Sequence, residues 1–172
     1  SYFGDTNLIA SNFATHSAGS VGPISLALSG EPGSDAAWLS AAARLAAINL
    51  NTWIGAAGDA AEGTSYFNYP VNLLMPFLIS LEINGLHPET RETNLRKFAD
   101  WYAVVNAGGI LPSIGDSDGG SVHFPVGLLR LYPENPTARK LWNGAPRPEG
   151  PSPDVLSLLW FEPSENRPQE YA

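Results

Sequence analysis

Apolar positions in the first half of the chain recur at helical spacing rather than at the alternate positions of a strand. Residues 36–54 carry two such stripes, which together cover most of the circumference of a helix. The first stripe is Leu39, Ala43, Ala46, Leu50 and Ile54, and the second is Trp38, Ala42 and Leu45. Ser34 is predicted to be the N-cap of this helix, with Asp35 in its first turn. A helix that is apolar on two sides is expected to be buried on two sides.

Residues 70–84 form a second apolar segment of the same kind. Its main stripe is Val71, Leu74, Leu78 and Leu81. Pro70 suits the first turn of a helix and Gly85 suits the position just after its end. Pro76 lies inside this segment, and it predicts either a kink or a later start of the helix.

The other segments also favour helices. Residues 7–16 and 20–29 are predicted as two short helical pieces separated by Ser17, Ala18 and Gly19, and residues 30–33 as a turn. Residues 89–105 are predicted as one amphipathic helix, and residues 125–131, 136–142 and 154–161 as short helices. No segment resembles a series of strands. The pattern therefore predicts an all-α fold built from helical hairpins stacked in two layers.

Length and composition indicate one globular domain. The chain has 172 residues, of which 44% are hydrophobic, and five are Trp, so it can bury a sizeable core. We assign residues 1–161 to this domain and residues 162–172 to a polar tail or a linker to a missing region. The chain does not begin with Met, so we expect a processed or truncated product.

Charge and cysteine content exclude several functions. There is no Cys, so thiol catalysis, disulfides and zinc–thiolate sites are excluded. The net charge of -8 argues against a nucleic-acid partner. No apolar run approaches the ~20 residues of a membrane span, so we expect no membrane insertion.

A polar and aromatic stretch, residues 58–69, separates the two apolar segments. It contains two carboxyls, two phenols and an amide, namely Asp59, Glu62, Tyr66, Tyr69 and Asn68. A loop of this composition between buried helices is a common place for functional side chains. The alternative interpretation is a plain helix connection whose Tyr rings pack at the edge of the core.

Two short motifs resemble those of the heparinase II/III and alginate lyase group of polysaccharide lyases. One is Glu62-Gly63-x-x-Tyr66-x-x-Tyr69, and the other is Ser11-Asn12-Phe13-Ala14-Thr15-His16. The resemblance covers residues 12–120. It implies an α/α toroid, which in this family is followed by β-sheet domains. We therefore expect the toroid of residues 1–161 to be incomplete.

The resemblance also implies an activity, which is cleavage of a uronic-acid-containing glycan by β-elimination. It gives Tyr66 the role of acid and base, and Asn12 the role of neutralising the uronate carboxylate. Family members take a further catalytic His or Tyr from later in the chain, so activity of this chain alone is in question. No cofactor is implied, the substrate would be an acidic polysaccharide, and the location would be secreted or periplasmic.

Five further residues are candidate substrate contacts: His16, Glu62, Tyr69, Asp116 and His123. His16 follows Asn12 by one helical turn, and it either assists Asn12 or has a structural role. Glu62 is the best candidate for fixing the loop, and Tyr69 either stacks on a sugar or packs in the core. Trp53 is a candidate sugar platform with the same core alternative.

Asp116 belongs to a segment, Ile114 to Gly120, that resembles the Gly-Asp loop lining the family's cleft. The sequence Asp116-Ser117-Asp118-Gly119 also suggests a calcium loop, but the other ligands of an EF-hand are absent. We therefore expect no metal here.

The positions of the Lys and Arg residues indicate how strongly charged the substrate is expected to be. Arg44 is the only Lys or Arg before Arg91, which favours unsulfated uronates over heavily sulfated chains.

Two alternative functions stay open. One is a non-catalytic carbohydrate-binding or scaffold fragment. The other is a toroid glycoside hydrolase that pairs Asp59 or Glu62 with Asp116. We also expect exposed apolar surface that a partner chain or a missing region covers.

Overall fold

The computed structural model describes residues 11–60, 63–105 and 127–144. Within these ranges the regular elements are helices, joined by turns and by one isolated antiparallel bridge between Ile54 and Ala60. The α-helices are α1 (Asn12–Ala27), α2 (Ala36–Trp53), α3 (Thr64–Ile83), α4 (Phe98–Val105), α5 (Gly127–Leu131) and α6 (Pro136–Gly144). Two short 3₁₀ helices, Pro88–Thr90 and Asn94–Lys97, lie between α3 and α4. The prediction of an all-α fold is confirmed for this part of the chain.

Helices α1 and α2 form an antiparallel hairpin. The start of α1 is bonded to the end of α2, because Asn49 contacts both Ser11 and Thr15. The predicted turn after α1 is present, and Gly30 and Gly33 provide its positive φ angles of 91° and 87°. The predicted helix at residues 36–54 is present as α2, and both of its stripes are buried except for Trp38.

The predicted N-cap of α2 was one residue too early. Asp35 is the N-cap, and its carboxylate accepts a 2.9 Å hydrogen bond from the backbone N–H of Ala37. A carboxylate at this position also interacts favourably with the helix dipole, so it outcompetes the Ser34 hydroxyl.

The predicted break at residues 17–19 is wrong, because α1 is one continuous helix. Its small residues permit close packing rather than a turn. A Cβ on Gly22 would lie 2.5 Å from the Phe77 ring, and one on Gly19 would lie 3.0 Å from the Leu73 carbonyl oxygen. The packing against α3 therefore overrides the weak helix propensity of glycine, and it also accommodates Pro23 within the helix.

Helix α3 is the most deeply buried element. Its buried side chains point in several directions around the axis: Val71, Leu74, Met75, Phe77, Leu78, Ile79 and Leu81. On one side it packs against α1, and on another side it packs against α5, where Gly127 lies against Met75. This arrangement agrees with the expectation that the helix is buried on two sides.

The predicted start of α3 at Pro70, or later at Pro76, is wrong. The helix begins at Thr64, directly after Gly63, whose φ of 85° strongly favours glycine. Pro70 and Pro76 are interior positions of the helix rather than its boundary. The second half of the predicted polar loop, which includes Tyr66 and Tyr69, is therefore helical.

The predicted helix at residues 89–105 is divided into two 3₁₀ helices and α4. Polar side chains explain the division. The Thr93 hydroxyl donates to the Thr90 carbonyl, and the backbone N–H of Asn94 donates to the Asn51 side chain instead of to a preceding turn. The amphipathic pattern itself is correct, since Leu95, Phe98, Ala99 and Tyr102 are buried.

Helices α5 and α6 match the predictions near residues 125–131 and 136–142. Pro136 occupies the first position of α6, and the Asn135 side chain accepts hydrogen bonds from the N–H groups of Thr137 and Ala138. The predicted helix at 154–161 and the tail at 162–172 lie outside the described residues. Among the helices that are described, none combines the length and the apolar character needed to cross a bilayer.

Candidate functional site

The first turns of α1 and α3 lie at the same end of the helix pair. Gly19 lies against Leu73 and Gly22 lies against Phe77, so the two helices run in the same direction where they touch. Asn12 and Tyr66 are separated by the same number of residues as Gly19 and Leu73. Asn12 and Tyr66 therefore both belong to the first turn of a helix that begins at this end.

The end of α2 meets the same region. Asn49 is fully buried, and its side chain donates to the Ser11 carbonyl at 3.1 Å and accepts from the Thr15 hydroxyl at 2.8 Å. These bonds attach the residues on either side of Asn12 to the last turns of α2. The backbone position of Asn12 is consequently fixed relative to both neighbouring helices.

The loop between α2 and α3 is closed over the end of α2. The Gly55 N–H donates to the Asp59 carbonyl at 2.8 Å, and Ile54 pairs with Ala60 in the isolated bridge. The Asp59 side chain folds back over Gly55 and is exposed. This loop leads directly into the motif of Glu62, of which Gly63 is described.

The second 3₁₀ helix attaches this loop to the rest of the fold. The Asn94 side-chain amide donates to the Ile54 carbonyl at 2.8 Å, and the Lys97 ammonium donates to the Ala56 carbonyl at 2.6 Å. Both acceptors lie just after α2, where the helix dipole is negative, so these donors are well placed. Lys97 therefore brings a positive charge to the loop before the Tyr66 motif.

Helix termini add to the local potential. The α1 and α3 N-termini both face this end, and neither helix has an acidic residue in its first turn. The Ser11 side chain makes no capping hydrogen bond, and Gly63 has no side chain that could make one. Two helix N-termini of this kind favour anionic groups nearby.

The structure describes some of the predicted site residues fully, some by their backbone alone, and others not at all. Asn12 and His16 are half-buried and lie one turn apart on α1, as expected. Tyr66 and Tyr69 belong to the first two turns of α3, and their backbone alone is described. Glu62, Asp116 and His123 lie outside the described residues, as does the segment proposed as a calcium loop.

One sequence-based suggestion is wrong and three residues were missed. Trp53 is 1% exposed, so it belongs to the core and cannot be a sugar platform. The residues expected at this site did not include Asn49, Asn94 or Lys97. Asn49 could have been predicted as a buried hydrogen-bonding residue, since it is a polar residue within an apolar helical run. No sequence pattern indicated the roles of Asn94 and Lys97, because their hydrogen-bond partners are more than 35 residues away in sequence.

In the described ranges, no group of three His, Asp or Glu side chains is arranged to hold a metal ion. Among the described residues, the chemistry available at this end is that of amides, hydroxyls, one imidazole, an ammonium group and the exposed Asp59 carboxylate.

Comparisons with known proteins neither support nor contradict the resemblance of the two motifs. No protein-family model, curated protein or solved structure matches the chain.

Proposed function

We propose that this chain is part of an α/α toroid of a polysaccharide lyase that acts on an unsulfated, uronate-containing glycan. The observation that supports this most is the register between α1 and α3. Two motifs that are far apart in sequence, around Asn12 and Tyr66, are brought to one end of one helix pair. A lyase site requires these two residues to act on the same sugar.

The toroid is supported by the way the helices pack. Helices α1 and α2 form a hairpin, and α3 is buried between α1 on one side and α5 on another. A two-layer ring of helical hairpins needs helices that are buried in this manner. The candidate site would lie where helix ends form one face of the ring.

The proposed reaction is a β-elimination. The Asn12 amide donates a hydrogen bond to the uronate carboxylate and stabilises the charge that develops when the C5 proton leaves. The Tyr66 phenolate takes this proton, the C4–O bond breaks, and the phenol returns the proton to the leaving oxygen. The products are a new non-reducing end with a C4–C5 double bond and a free hydroxyl on the leaving sugar.

Substrate charge fits the local electrostatics. The N-termini of α1 and α3 favour an anion, and Lys97 adds one ammonium group beside the loop of residues 54–60. These few positive groups suit a substrate with one carboxylate on each sugar, whereas recognition of several sulfates normally uses clustered Arg and Lys.

The experiment is a product assay with alginate, hyaluronan, heparan sulfate and heparin, performed on this chain and on a longer protein that contains it, because the toroid is expected to be incomplete. A lyase releases an unsaturated uronate that absorbs in the ultraviolet, together with new reducing ends. We expect both with alginate or another unsulfated uronate, and little with heparin.

Other outcomes separate the alternatives. Reducing ends without ultraviolet absorbance would indicate a glycoside hydrolase that uses Asp59 or Glu62 with Asp116. Binding of alginate oligosaccharides by calorimetry without any product would indicate a carbohydrate-binding fragment. Absence of both binding and turnover with all four glycans would overturn the proposal.

A further inference from the structure

In the part of the chain that the structure describes, helix α1 has a second apolar face that is exposed. Phe13, Val21 and Ile24 are 62%, 45% and 59% exposed, and Leu28 at the end of the helix is 45% exposed. At 100° per residue, these four positions fall within an arc of about 80°. They form a stripe about 22 Å long, or about four turns of an α-helix, in which polar Ser17 lies between Phe13 and Val21.

The stripe ends at a small surface cavity. Leu28 and Trp38 line this cavity together with the turn between α1 and α2, and Trp38 is 58% exposed. Its volume is about 150 Å³. This volume suits one inserted side chain and is well below the ~300 Å³ or more of a typical small-molecule site.

The rim of the cavity is acidic. Glu31 and Asp35 both lie on it and both are exposed. There is no Lys or Arg among residues 11–43, and Arg44 is about 120° away from Trp38 around α2. Asp35 also caps α2 through the Ala37 N–H, so the Glu31 carboxylate is the less engaged of the two. An apolar cavity lined by these carboxylates complements a Lys or Arg side chain, whose stem is apolar and whose head is charged.

We propose that this surface, formed by the outer stripe of α1 and the Leu28–Trp38 cavity, binds an amphipathic helix of a partner polypeptide. The apolar side chains of the partner helix lie along Phe13, Val21 and Ile24, and one Lys or Arg enters the cavity between Leu28 and Trp38. The acidic rim disfavours the alternative of an anionic membrane surface. The cavity lies at the opposite end of the α1–α2 hairpin from Asn49, so the two sites are separate.

The test uses the full chain and two synthetic amphipathic helices of about 18 residues, a length that spans the stripe. The peptides are identical except for one terminal position, which is Arg in the first and Glu in the second. Binding is measured by fluorescence anisotropy of a label on the peptide. We expect the Arg peptide to bind at least about tenfold more tightly than the Glu peptide.

Two variants connect this binding to the surface. Ile24→Ser should weaken binding of the Arg peptide by about tenfold or more, because it removes the centre of the stripe. Val104→Ser is the matched control, since Val104 is a 74% exposed apolar residue on α4. Circular dichroism confirms that both variants fold.

The proposal is wrong if neither peptide binds, if both bind equally, or if Ile24→Ser and Val104→Ser behave alike. Sedimentation gives one further outcome. If the chain is a dimer and Ile24→Ser makes it monomeric, the occupant is a second copy of this chain and not a basic helix. Binding to phosphatidylserine vesicles that Ile24→Ser abolishes would equally overturn it.

Discussion

The Thr15 hydroxyl donates a 2.8 Å hydrogen bond to the Asn49 side-chain oxygen, and both residues are almost completely buried. The Asn49 amide continues the network to the Ser11 carbonyl at 3.1 Å. A polar pair in this position fixes how far α1 can slide along α2, because a shift of one residue would leave buried groups without hydrogen bonds. It thereby also fixes Asn12, which lies between Ser11 and Thr15.

Replacement of Asn49 tests this network. Asn49→Ala should lower the free energy of unfolding by about 1–3 kcal/mol, because the buried Thr15 hydroxyl loses its acceptor and the Ser11 carbonyl loses one of its donors. Urea denaturation monitored by circular dichroism measures the loss. Asn51→Ala is an unsuitable control, since Asn51 bonds to Asn94, so the exposed Ser40→Ala on the same helix serves instead. If Asn49→Ala loses no more stability than Ser40→Ala, the network has no structural importance.

The close packing of α1 on α3 makes a second prediction. Gly22→Ala should destabilise the protein by about 1–3 kcal/mol, although alanine favours helices, because its methyl group would overlap the Phe77 ring. Ser20→Ala, at an exposed position two residues away, should be neutral or slightly stabilising. Equal thermal unfolding midpoints for the two variants would contradict the observed helix contact.

Proton transfer by Tyr66 makes a third prediction. Tyr66→Phe removes the phenol group and should lower the elimination rate by ~100-fold or more while the fold survives. Tyr69→Phe, one turn later on α3, is the control and should have a smaller effect. The rates are measured from the ultraviolet absorbance of the unsaturated product. Near-normal elimination by Tyr66→Phe would remove Tyr66 from the mechanism.

Carboxylate neutralisation by Asn12 makes a fourth prediction. Asn12→Ala should reduce kcat more than it raises KM, because the lost hydrogen bond is strongest in the transition state. Asn12→Asp should be at least as damaging, since it places a negative charge beside the uronate. A variant that changes only KM would indicate that Asn12 binds the substrate without assisting the reaction.

Substrate charge makes a fifth prediction. Lys97→Met should weaken binding of alginate oligosaccharides by about threefold to tenfold, whereas Lys140→Met on α6 should not. The binding constant should depend only weakly on salt, as expected for few ionic contacts. Calorimetry at low and moderate ionic strength measures both effects. A steep loss of affinity with salt, or equal effects of the two Lys variants, would be inconsistent with the proposed site.

The sequence by itself determined the fold class and most of the buried positions. Helical spacing identified the stripes of α2 and α3, because a helix that is buried on two sides must repeat apolar residues around its axis. The same spacing predicted an amphipathic segment at residues 89–105, and its apolar positions Leu95, Phe98 and Tyr102 are buried although the segment is not one helix. Local chemistry also located the turn before α2, and it placed the cap of that helix one residue too early.

Tertiary contacts decided the rest. Ser17, Ala18 and Gly19 predict a break when they are considered alone, yet α1 is continuous there because α3 packs closely against Gly19 and Gly22. Asn94 interrupts a helical pattern because its hydrogen-bond partners belong to the end of α2. That α1 and α3 begin at the same end likewise depends on how two distant helices pack. Such contacts join residues that are distant in sequence, so no local pattern of propensity or hydrophobicity encodes them.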